Sequence, residues 1–194
     1  AFLLPIIDQL DAENNEVQVV ILTPSRELAI QIEQVIREMG TGYKANAVYG
    51  GRPFSKDKID LKHPPALLVG TPGRIADHLR RGTFSTEFVN TLVLDEYDKS
   101  LEVGFEEEMK EILNALPTAK NKILTSATQQ NSIPPFVKLK NPSVLNFTQK
   151  GTADLQLKTV ISTDKDKLQA LVDLLSHIGN HPGIVFCNFK DSIE

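Results

Sequence analysis

The 194-residue sequence predicts an α/β fold built on a parallel sheet with helices on both faces. Three observations carry this. Short apolar runs recur, as at Val19–Leu22, Leu67–Val69, Leu92–Leu94 and Ile123–Leu124. They lack polar alternation, as strands buried on both faces do. Between them lie stretches with apolar residues at helical spacing, so consecutive strands are joined by crossovers and run parallel. Finally, each run ends in residues with polar chemistry. That chemistry therefore gathers at the carboxyl edge of the sheet, where open α/β folds bind ligands.

The first strand, Val17–Leu22, leads into Thr23-Pro24-Ser25-Arg26. Thr23 suits a helix N-cap and Pro24 the first helical position. The helix that follows carries Leu28, Ile32, Val35, Ile36 and Met39 on one face, with Gly40 as its stop. Ala45–Tyr49 reads as a second strand, ending at Gly50-Gly51-Arg52. Two glycines there permit close approach of main chain to a ligand, and equally make a plain tight turn. The third strand, Ala66–Gly70, repeats the first ending as Thr71-Pro72-Gly73-Arg74. Its helix shows Ile75, Ala76 and Leu79 and closes at Gly82.

An arginine in a first helical turn opposes the helix dipole unless an anion sits there. Free backbone N–H groups and the guanidinium then bind that anion together. Two such turns on one edge point to repeated phosphates, that is, a nucleic-acid backbone. The alternative at either site is an arginine paired with a nearby carboxylate.

The fourth strand, Thr91–Leu94, runs straight into Asp95-Glu96-Tyr97-Asp98. On an extended backbone, adjacent side chains leave in opposite directions, so Asp95 and Glu96 can do different work. One can hold a hydrated Mg²⁺, and the other can orient a water toward a phosphate. A strand that merely ends in a charged turn is the plainer alternative. Gly104–Leu116 then supplies one helix, with Phe105, Met109, Ile112, Leu113 and Leu116 at helical spacing. The fifth strand, Lys122–Thr128, brings Ser126 and Thr128 to the same edge. Their hydroxyls can bond a carboxylate and report its state. They can also simply cap a following helix, which Pro134 and Pro135 interrupt or start.

Pro24-Ser25-Arg26-Glu27-Leu28-Ala29, Gly50-Gly51, Thr71–Arg74, Asp95–Asp98 and Ser126-Ala127-Thr128 stand in one order along the chain. In order and spacing this set resembles the DEAD-box RNA helicases, over most of residues 1–150. The resemblance implies a RecA-like domain at 1–147, a linker at 148–155 and the beginning of a second RecA-like domain at 156–194. It implies ATP and Mg²⁺ as cofactors, with Asp95 holding the metal through water and Glu96 positioning the attacking water. It implies that Asp98 bonds Ser126 or Thr128, coupling nucleotide to RNA. It assigns the RNA backbone to Thr23, Pro24, Arg26, Gly50, Gly51, Arg52, Thr71, Pro72, Gly73 and Arg74. Ser25 stands where the family usually has Thr, and the hydroxyl is kept. Tyr97 replaces an Ala of the motif, and a phenol needs room and a partner for its oxygen.

The sequence holds no Gly-x-x-x-x-Gly-Lys-[Ser/Thr] loop, and residues 1–7 resemble the helix that follows that loop in the family. The chain therefore reads as an internal part of a longer helicase, expected to turn over no ATP by itself. Two alternatives stay open: a non-catalytic RNA clamp or chaperone, and a DNA helicase or translocase of the same superfamily. Backbone contacts carry no base information, so sensitivity to the 2′-OH would separate RNA from DNA.

A net charge of −4 gives no basic surface, so nucleic acid must be held at local sites. Cys187 is the single cysteine and sits in an apolar run, a core residue rather than a disulfide partner. The four histidines lack metal-ligand spacing. The N-terminal apolar run has no basic flank, and nothing is long enough to cross a membrane, so a reducing cytoplasm is the expected compartment. Near the end, Lys158–Ile161 and Gly183–Cys187 read as strands flanking a helix with Leu168, Leu171, Val172 and Leu175 on one face. About forty residues of this kind are too few to fold securely alone.

Overall fold

The structure, a computed structural model, describes residues 2–128, 133–139, 141–147, 156, 158–162 and 167–186. The chain divides into two units, Ala1–Thr148 and Gln149–Glu194. In the first, five strands form one sheet: β1 (Val19–Leu22), β2 (Ala45–Val48), β3 (Leu67–Gly70), β4 (Thr91–Leu94) and β5 (Asn121–Leu124). The spatial order is β2-β3-β1-β4-β5, and every pairing is parallel. The helices are α1 (Leu3–Ile7), α2 (Arg26–Glu38), α3 (Phe54–Asp60), α4 (Pro72–Arg80), α5 (Tyr97–Val103) and α6 (Glu106–Ala115). A 3₁₀ turn, Pro135–Val137, follows.

Successive strand residues face opposite sides of a sheet, and the apolar runs divide accordingly between two cores. Val20, Leu22, Leu68, Leu92 and Leu94 pack with Ile75 and Ala76 of α4 and Met109 and Ile112 of α6. Val19, Ile21, Leu67, Val69 and Val93 pack with Leu3 and Ile6 of α1 and Ala29, Ile32 and Ile36 of α2. Both faces are thus covered, which is why the strands could be apolar throughout.

The registers align the strand ends in a single row, Val48–Gly70–Leu22–Leu94–Leu124. The ladder continues one residue past that row: Thr71, Thr23, Asp95 and Thr125 donate their N–H to Val48, Gly70, Leu22 and Leu94 at 3.3, 3.0, 2.9 and 3.1 Å. At this edge Gly70 has no room for a side chain, since a Cβ would lie 2.5 Å from the Val48 carbonyl oxygen.

Several expectations need correction. α2 starts at Arg26, not Pro24, and its cap is Ser25, whose side chain accepts the Leu28 N–H at 3.2 Å. Thr71 and Pro72 do occupy the cap and first positions of α4, although the Thr71 hydroxyl makes no capping bond. Two helices were not foreseen. α3 has no apolar stripe to reveal it, and α5 begins inside the acidic motif itself.

In the second unit the described residues form one helix, α7 (Leu168–Ile178). Residues 158–161 and 183–186, expected as strands, form none, because a strand needs a ladder partner and no described residue supplies one. Leu168, Val172 and Leu175 of α7 are exposed. Cys187 and residues 148–155 lie outside the described residues.

Candidate functional site

The acidic half of the edge is built on β4 and β5. Asp95 follows the last residue of β4, and Glu96 then adopts the left-handed region, φ 47° and ψ 50°, at the N-cap of α5. The expectation of opposite directions along an extended backbone therefore fails here: a tight turn, not strand alternation, sets where Glu96 points. For a non-glycine residue that conformation costs about 1–2 kcal/mol and must be held by its surroundings. Glu96 is exposed and Asp95 partly so.

Asp98, two residues beyond Glu96, is buried with about 1% exposure. Thr128 Oγ1 donates to its Oδ2 at 2.6 Å. Ser126 Oγ accepts the Thr128 N–H at 3.1 Å and closes the turn. Burial by itself would raise the Asp98 pKa, but hydrogen bonds from Thr128, Ser126 and backbone N–H groups outweigh it and hold the carboxyl below its usual range. Tyr97 fills part of the core beside Leu94 and Leu101. Its hydroxyl bonds no described residue, contrary to the expectation of a partner, and burial followed by the Asp98 charge pushes its pKa up.

The other half lies over β1, β2 and β3. Here the two Thr-Pro-x-Arg turns turn out unequal. Arg26 is 64% exposed and, among the described residues, paired only with its exposed neighbour Glu27 at 2.6 Å. Gly51, at φ 84°, sits against it: a Cβ there would lie 3.9 Å from Arg26 Nη1. Arg74 is only 13% exposed. Its Nε donates to Asp57 Oδ2 at 2.7 Å and its Nη2 to the Arg52 carbonyl at 2.8 Å. Arg52 is itself 3.3 Å from Asp57 Oδ1 and bonded to Asp60.

For Arg74, then, the carboxylate alternative is what the structure shows. Thr23, expected at the RNA backbone, is fully buried and its hydroxyl donates to the Ser25 carbonyl at 3.0 Å. Pro72 is buried as well. Pro24, Gly50, Gly51, Thr71 and Gly73 keep access to solvent. The Arg74 and Ile75 N–H groups both go to the Thr71 carbonyl, leaving the Gly73 N–H of that turn without a partner among the described residues.

Asp57 is the residue the sequence reading missed. It has no exposed surface, yet it faces Arg52, Arg74 and His78 Nε2, the last at 3.3 Å. The His78 ring stacks on Phe54 at 4.5 Å between centroids, and its Nδ1 lies 2.7 Å from Thr83 Oγ1. Desolvation lowers the His78 pKa more than Asp57 raises it, so the ring is neutral at pH 7. A signal existed for His78, which lies three residues after Ile75 on the apolar face of α4. None existed for Asp57, because α3 shows no period.

The acidic corner offers oxygen ligands: the carboxylates of Asp95 and Glu96, with the hydroxyls of Ser126 and Thr128 on the adjoining turn. That chemistry suits Mg²⁺ rather than a soft metal. Among the described residues no three His, Cys, Asp or Glu groups form a metal cage. Mg²⁺ held by one carboxylate, waters and phosphate oxygens fits such a set.

The fold and its polar edge define a RecA-like α/β domain, and comparison with known proteins gives its kind. Residues 1–134 match the family described as DEAD/DEAH box helicase. The chain is 33% identical over 200 residues to the ATP-dependent RNA helicase DbpA of Bacillus subtilis, covering all of this chain and 42% of that protein. It is 41% identical over 204 residues to the ATP-dependent RNA helicase CshA of Limosilactobacillus reuteri, covering 40% of it. The crystal structure of a DEAD box protein from the hyperthermophile Methanococcus jannaschii superposes with a TM-score of 0.59 at 39% identity, over 67% of this chain and 36% of that one. The chain belongs to the DEAD/DEAH box helicase family. It spans about two-fifths of the length of these curated relatives.

Proposed function

We propose that the protein is an ATP-dependent RNA helicase, coupling ATP binding and hydrolysis to RNA clamping and local unwinding. The observation that carries this is the single register row that sets the acidic turn after β4 and the Thr-Pro-x-Arg turns after β1 and β3 on one sheet edge. In this reading residues 1–147 form the first RecA-like domain and 156–194 begin the second. The protein would work in the cytoplasm; the single cysteine supports that, and no described helix is long and apolar enough to cross a membrane.

At the acidic corner Asp95 would hold Mg²⁺ through water, and what that ion supplies is neutralisation of charge on the phosphates. Glu96 is exposed at its turn and orients the attacking water by accepting its hydrogen bond. Asp98 sits two residues after Glu96 at the start of α5 and is bonded to Thr128, so a shift in the acidic turn is passed to the Ser126–Thr128 turn. On the other half, the Arg26 guanidinium, the Thr71 hydroxyl and the N–H groups around Gly51 and Gly73 bind phosphates and sugars of a single strand. These groups read no bases. A strand bent along them cannot remain in an A-form duplex, so binding itself separates short duplexes.

The test is a pair of substitutions in the full-length protein. Glu96→Gln keeps size and removes charge, and turnover should fall by about 10²–10³ while ATP binding persists. Asp95→Asn should instead weaken Mg²⁺-dependent nucleotide binding. Equal loss of binding in both variants would show the roles to be wrongly assigned. RNA compared with its 2′-deoxy counterpart tests the choice of nucleic acid.

A further inference from the structure

The sequence singles out Ser126 and Thr128 and passes over Thr125, the first residue beyond β5. In the structure all three polar groups of Thr125 are spent on the acidic turn. Its N–H donates to Leu94 O at 3.1 Å, and its carbonyl accepts the Tyr97 N–H at 3.2 Å. Its hydroxyl donates to Asp95 Oδ1 at 2.5 Å and accepts the Glu96 N–H at 3.0 Å. One residue beyond the neighbouring strand thus bonds residues 94 to 97 in succession, its backbone taking Leu94 and Tyr97 and its hydroxyl Asp95 and Glu96.

Two consequences follow from elementary chemistry. A hydroxyl donating to a carboxylate makes a charge-assisted bond, so the Asp95 carboxylate is held in one orientation. The left-handed Glu96 has its own N–H and the next one both accepted by Thr125. A conformation costing about 1–2 kcal/mol persists only when neighbours fix it in this way.

We propose that Thr125 is a positioning residue for ATP hydrolysis, orienting the carboxylate that would hold Mg²⁺ and pinning the turn that aims Glu96. The proposal rests on the helicase reading above and names a group that reading does not use. Valine matches the shape of threonine and lacks the hydroxyl; serine keeps the hydroxyl and loses the methyl. In the full-length protein, Thr125→Val should raise the Mg²⁺ concentration needed for half-maximal binding of a fluorescent ATP analogue by about tenfold or more, as loss of a bond to a metal-holding group generally does. It should also lower kcat more than it changes the KM for ATP, and Thr125→Ser should restore both.

If the valine variant fails to fold, Thr125→Ala is read in the same way. A lowered melting temperature with the Mg²⁺ requirement and kcat unchanged would overturn the proposal, leaving Thr125 a structural residue only. So would a serine variant as impaired as the valine one. Glu96→Gln measured alongside separates the two levels. Wild-type turnover in that variant brings down the helicase reading itself, whereas lost turnover there with a normal Thr125→Val brings down only the role of Thr125.

Discussion

At Asp57 a carboxylate without exposed surface faces two guanidinium groups and an imidazole. A buried pair is costly to break, because the partner left behind is an uncompensated charge. Asp57→Asn in the 194-residue chain should destabilise it by about 3–5 kcal/mol, measured by denaturant unfolding. The same network separates the two arginines that looked equivalent in sequence. Arg26→Ala, studied in the full-length protein, should weaken RNA binding about equally for all sequences and lower the log–log salt slope by roughly 0.7, the share of one phosphate on a single strand. Arg74→Ala should leave that slope unchanged and lower the melting temperature instead. A reduced slope in Arg74→Ala would restore the phosphate assignment that its pairing with Asp57 argues against. The repeated Thr-Pro-x-Arg motif was legible; its inequality was not, because the deciding carboxylate sits on α3, whose sequence has no helical stripe.

At the scale of elements, α3 and α4 are held together by the stack of Phe54 on His78 and by His78 with Asp57. The cation of Arg81, 4.3 Å from the Phe54 ring centre, adds to the same joint. Because burial lowers the folded-state pKa of His78 below about 6.5, the unfolded chain takes up the proton first as pH falls. Its contribution is therefore complete above about pH 6.5 and is lost as pH falls through the lowered folded value. Melting temperatures of the chain between pH 7.5 and 5.5 should decline, and His78→Gln should flatten that decline while lowering the starting point. A slope unchanged by His78→Gln would mean the imidazole is not the titrating group.

Between β2 and β3 the limit is space. Gly70→Ala would press a Cβ onto the Val48 carbonyl and should destabilise by about 1–3 kcal/mol, the usual range for overpacking. The ends of β1, β3 and β4 were read correctly from the apolar runs, whereas β5 stops at Leu124 rather than Thr128 and β2 at Val48 rather than Tyr49. Their row across the sheet required the registers.

For the molecule as a whole, a net charge of −4 would leave the proposed RNA binding to a few local contacts, which agrees with most arginines being paired internally or on the surface. The two units differ in how their apolar surface is used. The first buries it in two layers, while α7 exposes Leu168, Val172, Leu175 and Ile178. An isolated helix of eleven residues is marginal in water. In hydrogen exchange on the 194-residue chain, amides of β1, β3 and β4 should be the slowest and those of α7 near the unprotected rate. Protection in α7 equal to that of the central strands would show that its apolar face is covered.

The sequence by itself determined the class of fold, the five strands of the first unit, and the family to which the edge motifs belong. It could do so because burial on both faces and turn chemistry are properties of short contiguous stretches. Only the tertiary structure decided the rest: that Arg74 serves Asp57, that Thr23 is buried, that Glu96 turns left-handed, and that Thr125 holds Asp95. The Arg74–Asp57 and Thr125–Asp95 contacts join partners 17 and 30 residues apart. The burial of Thr23 needs the paired β3, and the Glu96 turn is fixed by Thr125 across the register of β4 and β5. No local pattern encodes a distance of that kind.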